Sequence, residues 1–154
     1  MAMLHNLPVL IVILPLLTAP VCVLLGKGNW AWLAAMLASI GSMLSAFSLL
    51  PLLSDTGAPL RYALGGWSPP WGIELYVDTL TVLLLVLVTT MAVVVLAYAR
   101  RSVQAEIDAS QHAGFYAALL LVFAGLGGIV LTGDAFNAFV FLEISSLSSY
   151  ALIS

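Results

Sequence analysis

A single carboxylate stands inside a long apolar run near the end of the sequence. The run reads Thr132-Gly133-Asp134-Ala135-Phe136-Asn137-Ala138-Phe139-Val140-Phe141-Leu142-Glu143-Ile144-Ser145-Ser146-Leu147-Ser148-Ser149-Tyr150-Ala151-Leu152. Coiled into a helix, it sets Ser146 and Tyr150 three and seven residues beyond Glu143, and Phe139 four before it, on one face. That face carries a carboxylate, a hydroxyl and a phenol. A carboxylate balanced between desolvation, which favours the neutral acid, and a nearby cation, which favours the anion, can accept and release a proton. The chemistry this makes available is proton relay.

Position strengthens that reading. Asp134 reads as the helix N-cap, its side chain accepting from otherwise unpaired backbone N–H groups. Glu143 follows nine residues later, roughly 13 Å along the axis at about 1.5 Å per residue. In a hydrocarbon layer about 30 Å thick, that is near the centre. An acid there is expensive and by default marks a functional pathway. The competing reading is structural, a protonated Glu143 hydrogen-bonded to a neighbouring helix. Ser145, Ser146, Ser148 and Ser149 have the opposite balance, since serines within spans more often join helices than carry ions. Lys27, Arg61, Arg100 and Arg101 all read at membrane boundaries. A cationic partner for Glu143 is therefore expected outside these residues.

The rest of the chain must hold that acid in a bilayer. Of its 154 residues, 63% are hydrophobic and 7% charged, against about 25% charged in a soluble domain. The mean hydropathy is +1.17. Apolar runs long enough to span recur, and they are continuous rather than alternating. This predicts an all-α membrane protein and argues against a β-barrel. No basic patch suggests nucleic acid. Cys22 lies alone in an apolar run as a packing residue, and no Cys/His spacing suggests a metal or cofactor. Ala124-Gly125-Leu126-Gly127-Gly128 lies inside an apolar span with no strand before it, so it is not a nucleotide loop.

Five spans are predicted, at about 7–25, 30–53, 78–99, 114–131 and 135–154. Pro8, Pro15 and Pro20 fall within or beside the first and predict a kink in a packed bundle, where neighbours satisfy the freed carbonyls. Gly26-Lys27-Gly28-Asn29 is a tight polar turn. Trp30 and Trp32 suit a membrane boundary. Ala31, Ala34, Ala38, Gly41, Ser42 and Ser45 form a helix-packing stripe in the second span. Leu60-Arg61-Tyr62-Ala63-Leu64 and Ile73-Glu74-Leu75-Tyr76-Val77 alternate like strands around a turn-rich segment. They predict a short hairpin over the membrane surface, anchored by Trp67 and Trp71. Asp78 caps the third span. Residues 100–113 read as a solvated connection with room for some helix, with His112 an interfacial residue at its edge. Gly133 reads as the C-terminal cap of the fourth helix.

Lys27, Arg100 and Arg101 fall in loops on one side. The positive-inside rule makes that side cytoplasmic and puts the N-terminus and the hairpin outside. The protein is expected to be multi-pass in a prokaryotic cytoplasmic membrane.

The run from Thr132 to Leu152, with Glu143 at its centre, resembles the antiporter-like subunit family. That family includes the D-type subunits of multisubunit sodium/proton antiporters. It also includes the proton-pumping membrane subunits of NADH–quinone oxidoreductase and of membrane-bound hydrogenases. The earlier Gly65-Gly66-Trp67, Pro69-Pro70-Trp71-Gly72-Ile73-Glu74-Leu75 and Val77-Asp78 are similar to the segment before the family's third helix. The resemblance implies that Glu143 matches the family's fifth-helix glutamate, which pairs with a lysine on a later helix. Ser146, Tyr150, Asp134 and Asp78 are its candidate supporting residues. Family members carry more helices than five, so residues 1–154 are expected to form the N-terminal portion of a larger subunit, incomplete on its own. Ser145 and Ser146, after Glu143, look more like the D-type antiporter subunits.

The expected function is thus proton translocation in a multisubunit monovalent cation/proton antiporter, with other membrane subunits, protons and Na+ or K+ as partners. Redox chemistry would belong to other subunits. The alternatives are a proton-pumping subunit of NADH–quinone oxidoreductase or a membrane-bound hydrogenase, and a structural membrane scaffold.

Overall fold

The computed structural model describes residues 6–56, 58–63 and 73–154. Among them are five helices: α1 (Leu7–Leu25), α2 (Gly28–Thr56), α3 (Thr79–Glu106), α4 (His112–Leu131) and α5 (Ala135–Ile153). Each contains a stretch long and apolar enough to cross a membrane. Strands β1 (Leu60–Ala63) and β2 (Glu74–Val77) lie between α2 and α3 and pair antiparallel, Leu60 opposite Val77 and Ala63 opposite Glu74. The protein is a multi-pass membrane protein with an all-α transmembrane body and one hairpin. Trp67 and Trp71 lie outside the described residues.

Charge and helix propensity set different boundaries at the end of α3. Arg100 and Arg101 end the apolar stretch of α3 but not the helix, which continues to Glu106. Nothing in Ser102-Val103-Gln104-Ala105-Glu106 breaks a helix, and Val103 is buried among core side chains. The solvated connection is therefore half helix. Its Gln104 side chain donates to Asn29 Oδ1 on α2 at 3.1 Å. Trp32 turns inward: its indole N–H donates to the Leu96 carbonyl at 2.9 Å, and the Arg100 guanidinium lies 4.3 Å from its ring centroid. His112 packs against Gly28, where an added Cβ would meet the imidazole at 2.8 Å. Gly26, at φ +61°, closes α1 in the left-handed conformation that glycine adopts without strain.

α4 is the central helix and packs against α1, α2, α3 and α5. One core cluster, near the basic loops, joins Cys22, Ala31, Leu96, Tyr116 and Leu120. The other, near the hairpin, joins Ile11, Leu49, Leu85 and Leu131 to Leu75 and Val77 of β2. β2 alternates as a half-buried strand should, with Leu75 and Val77 inward and Glu74 and Tyr76 outward. The hairpin is thus packed onto the end of the bundle, as a segment over the membrane surface can be.

Proline placement explains one interhelical hydrogen bond. In a regular helix the N–H of residue 15 would donate to the carbonyl of Ile11, but Pro15 has no N–H. The Ser42 hydroxyl of α2 supplies the missing donor, at 3.1 Å from Ile11 O. Ser42 therefore does more than pack.

Candidate functional site

The N-terminus of α5 is built as its sequence predicts. Asp134 has extended backbone, and its Oδ1 accepts from the Asn137 N–H at 2.8 Å. The buried Asn137 side chain donates in turn to Asp134 Oδ2. Asp78 repeats the arrangement at α3, accepting from the Thr81 N–H at 2.8 Å.

The link before Asp134 is held from an unexpected direction. Gly133 is not a left-handed helix cap, because among the described residues only Gly26 has positive φ. Thr132, in extended conformation, ends α4, and Thr132 forms a β-bridge with Leu75. The Gly133 N–H donates to Glu74 O at 2.8 Å, and a Cβ at Gly133 would come within 3.2 Å of that oxygen. Glycine is needed here for close backbone approach. The hairpin thereby fixes the start of the helix that carries Glu143.

Two further glycines set the distance between α4 and α5. A Cβ on Gly125 would lie 2.6 Å from Ser145 Cβ and 2.8 Å from Phe141 O, and one on Gly128 would run into the Phe141 ring. Ser148 is buried, whereas the Ser145 and Ser149 hydroxyls donate to Leu142 O and Ser145 O of their own helix. The serines therefore serve packing and local hydrogen bonding.

Glu143 lies on the opposite face. It is exposed, as are Phe139, Leu142, Leu147 and Tyr150, the last at 70%. Ser146 is half-buried at the edge of that face. The structure thus brings Glu143 and Tyr150 to one outward surface of α5, away from α1–α4, while Asp134 and Asp78 sit at the hairpin end as caps. The ion pair found among the described residues is Arg61 with Glu74, at 3.5 Å on the hairpin. Among those residues no three His, Cys, Asp or Glu side chains converge as a metal chelate.

Comparison with known proteins places this architecture. No protein-family model matches the chain. The N-type subunit of NADH-quinone oxidoreductase from Desulforudis audaxviator is 46% identical over 154 aligned residues, covering 97% of this chain. The D-type subunit of a Na(+)/H(+) antiporter from Alkalihalophilus pseudofirmus is 31% identical over 150 residues, again 97% of this chain. A chain of the Mrp complex from Dietzia sp. DQ12-45-1b superimposes with a TM-score of 0.84 at 28% identity over 99% of this chain. The chain is a homologue of antiporter-like membrane subunits. It spans 30% of the length of each of the two curated relatives and 27% of the Mrp complex chain.

The caps predict a pH dependence of stability. The Thr81 N–H, with the Thr81 hydroxyl, holds the Asp78 carboxyl below its ordinary range, and the Asn137 N–H does the same for Asp134. Carboxyls lowered by folding stabilise above their unfolded pKa, about 3.9. That contribution disappears as the pH falls through the lower folded value. The thermal midpoint in detergent should hold between about pH 7 and 5 and fall below about 4. Asp134→Asn keeps a capping oxygen but does not titrate, so its profile should lose Asp134's share of the acid fall. An unchanged acid profile would show that the Asp134 cap contributes nothing.

Several positioning residues carry little signal in the sequence. Gly125 and Gly128 stand out there only as small residues, and Gly133 reads as a helix cap when its task is close approach to the hairpin. Ser42 has a readable signal, since Pro15 announces a carbonyl in need of a donor.

Proposed function

We propose that this chain is the N-terminal part of a proton-translocating subunit in a multisubunit monovalent cation/proton antiporter, and that Glu143 is its proton-path acid. The observation that carries this reading is a carboxylate midway along α5, a helix long and apolar enough to cross a membrane, on its exposed face. An acid at that depth turned toward lipid would be costly, so the face is expected to meet further protein, including a cation. The likeness to the D-type antiporter subunit and to the Mrp complex chain supports the antiport reading, in which Na+ or K+ would be the exchanged ion. The placement of Lys27, Arg100 and Arg101 at one end, with the hairpin and α1 start at the other, supports a cytoplasmic basic end and an external N-terminus in a prokaryotic cell membrane.

A second reading rests on the 46% identity to a relative named as an NADH-quinone oxidoreductase subunit. In it the same acid serves a redox-driven proton pump. The two are separated by purifying the native complex and sealing it into liposomes. An antiporter predicts that Na+ or K+ added outside collapses an imposed pH gradient without NADH or quinone. A redox-driven pump predicts copurifying redox subunits, and proton movement only during quinone reduction.

A further inference from the structure

A small buried cavity lies among α1, α2, α3 and α4, midway along the helices, away from Glu143. Its apolar wall includes Pro15, Phe123 and Gly127, and its polar lining is Ser39, Ser42 and Thr89. Its volume is about 10 Å³, the size of a single-water site. All three hydroxyl residues are buried, Ser39 to within 2% of complete exclusion from solvent.

Their hydrogen-bonding capacity is asymmetric. The Ser42 hydroxyl proton is committed to Ile11 O at 3.1 Å, and that of Thr89 to Leu85 O at 2.7 Å. Each oxygen keeps acceptor capacity. The Ser39 hydroxyl, one turn before Ser42, has no hydrogen-bond partner among the described residues. A buried hydroxyl left so is unfavourable. The lining therefore presents two acceptors and one unpaired O–H. A water molecule complements that set: it donates twice, to Ser42 and Thr89, and accepts once, from Ser39. Three hydrogen bonds are the usual number for a buried water.

We propose that this cavity is a binding site for one structural water, which joins α2 to α3 beside the break that Pro15 makes in α1. A dehydrated monovalent cation is the rival occupant, but three hydroxyls are few oxygens for one, and no acid lines the site.

The test uses the protein in lipid nanodiscs. Ser39→Ala and Thr89→Val each remove one contact to the same water, so each should lower the thermal midpoint by about 2–4 °C per kcal/mol lost. The double variant should fall by less than the sum, because the water can be lost only once. The Leu85 bond lost in Thr89→Val does not involve Ser39 and cancels in the comparison. An unchanged or higher midpoint in Ser39→Ala overturns the proposal, as do additive effects. Should Thr89→Val not fold, solid-state NMR on wild type and Ser39→Ala decides. Magnetisation transfer from water to Ser39 and Thr89 is expected in the wild type and should be lost at Thr89 in the variant; absence of transfer in the wild type overturns the site. A midpoint that depends on Na+, and loses that dependence in Ser39→Ala, overturns water in favour of a cation.

Discussion

Glu143→Gln should lower cation-coupled proton flux through the assembled complex by about a hundredfold, the lower end of what a positioned proton-transfer group contributes. Assembly and thermal midpoint should stay as in the wild type. The substitution keeps the length and hydrogen-bonding capacity of the side chain and removes only its ability to ionise. In the described structure the side chain is exposed, away from α1–α4, so no packing within this segment is lost with the charge. A structural role predicts the reverse pattern: flux retained, because a neutral amide bonds a neighbouring helix as well as a protonated acid does. The measurement is collapse of an imposed pH gradient in proteoliposomes, read with a pH-sensitive dye. Wild-type flux from the glutamine variant would remove Glu143 from the proton path.

What the sequence makes legible follows from which forces are local. Hydropathy and length identify all five spans, because the bilayer imposes a single requirement on each. The caps at Asp78 and Asp134 are readable because a carboxylate before an apolar run satisfies N–H groups three residues away. The last residue of α3 is not, because charge marks the membrane boundary, whereas the helix obeys its own propensity and runs on to Glu106. The role of Gly133 is hidden because it depends on Glu74, distant in sequence, whose carbonyl comes beside it only after the hairpin docks. The outward direction of Glu143 is likewise illegible. Periodicity groups it with Tyr150, but which face of α5 meets α4 is decided by Gly125, Gly128 and their fit to Phe141 and Ser145. Ser42 shows the intermediate case, a need announced locally by Pro15 and met by a residue on another helix.

Gly125→Ala should therefore disturb function from the far side of α5. The added methyl would meet Phe141 O at 2.8 Å and Ser145 N at 2.9 Å, as well as Ser145 Cβ. The first two obstacles are backbone atoms, which no side-chain rotation can clear. Either α5 moves away from α4 or the contact remains compressed. Overpacking of this kind costs about 1–3 kcal/mol, and better helix propensity returns at most about 1 kcal/mol, so the net effect is loss of stability. Gly114 supplies the control, since an added Cβ there meets nothing within 4 Å. Gly114→Ala should leave the thermal midpoint level or slightly raised, while Gly125→Ala lowers it. Moving α5 also moves Glu143, and a displacement of about 1 Å can cost a hundredfold where reacting groups must align. Flux through the complex should fall in Gly125→Ala although Glu143 is chemically intact. If both alanine variants behave alike in midpoint and flux, the close approach of α4 and α5 does not position the acid. If only the midpoint falls, that packing stabilises the bundle without tuning the proton path.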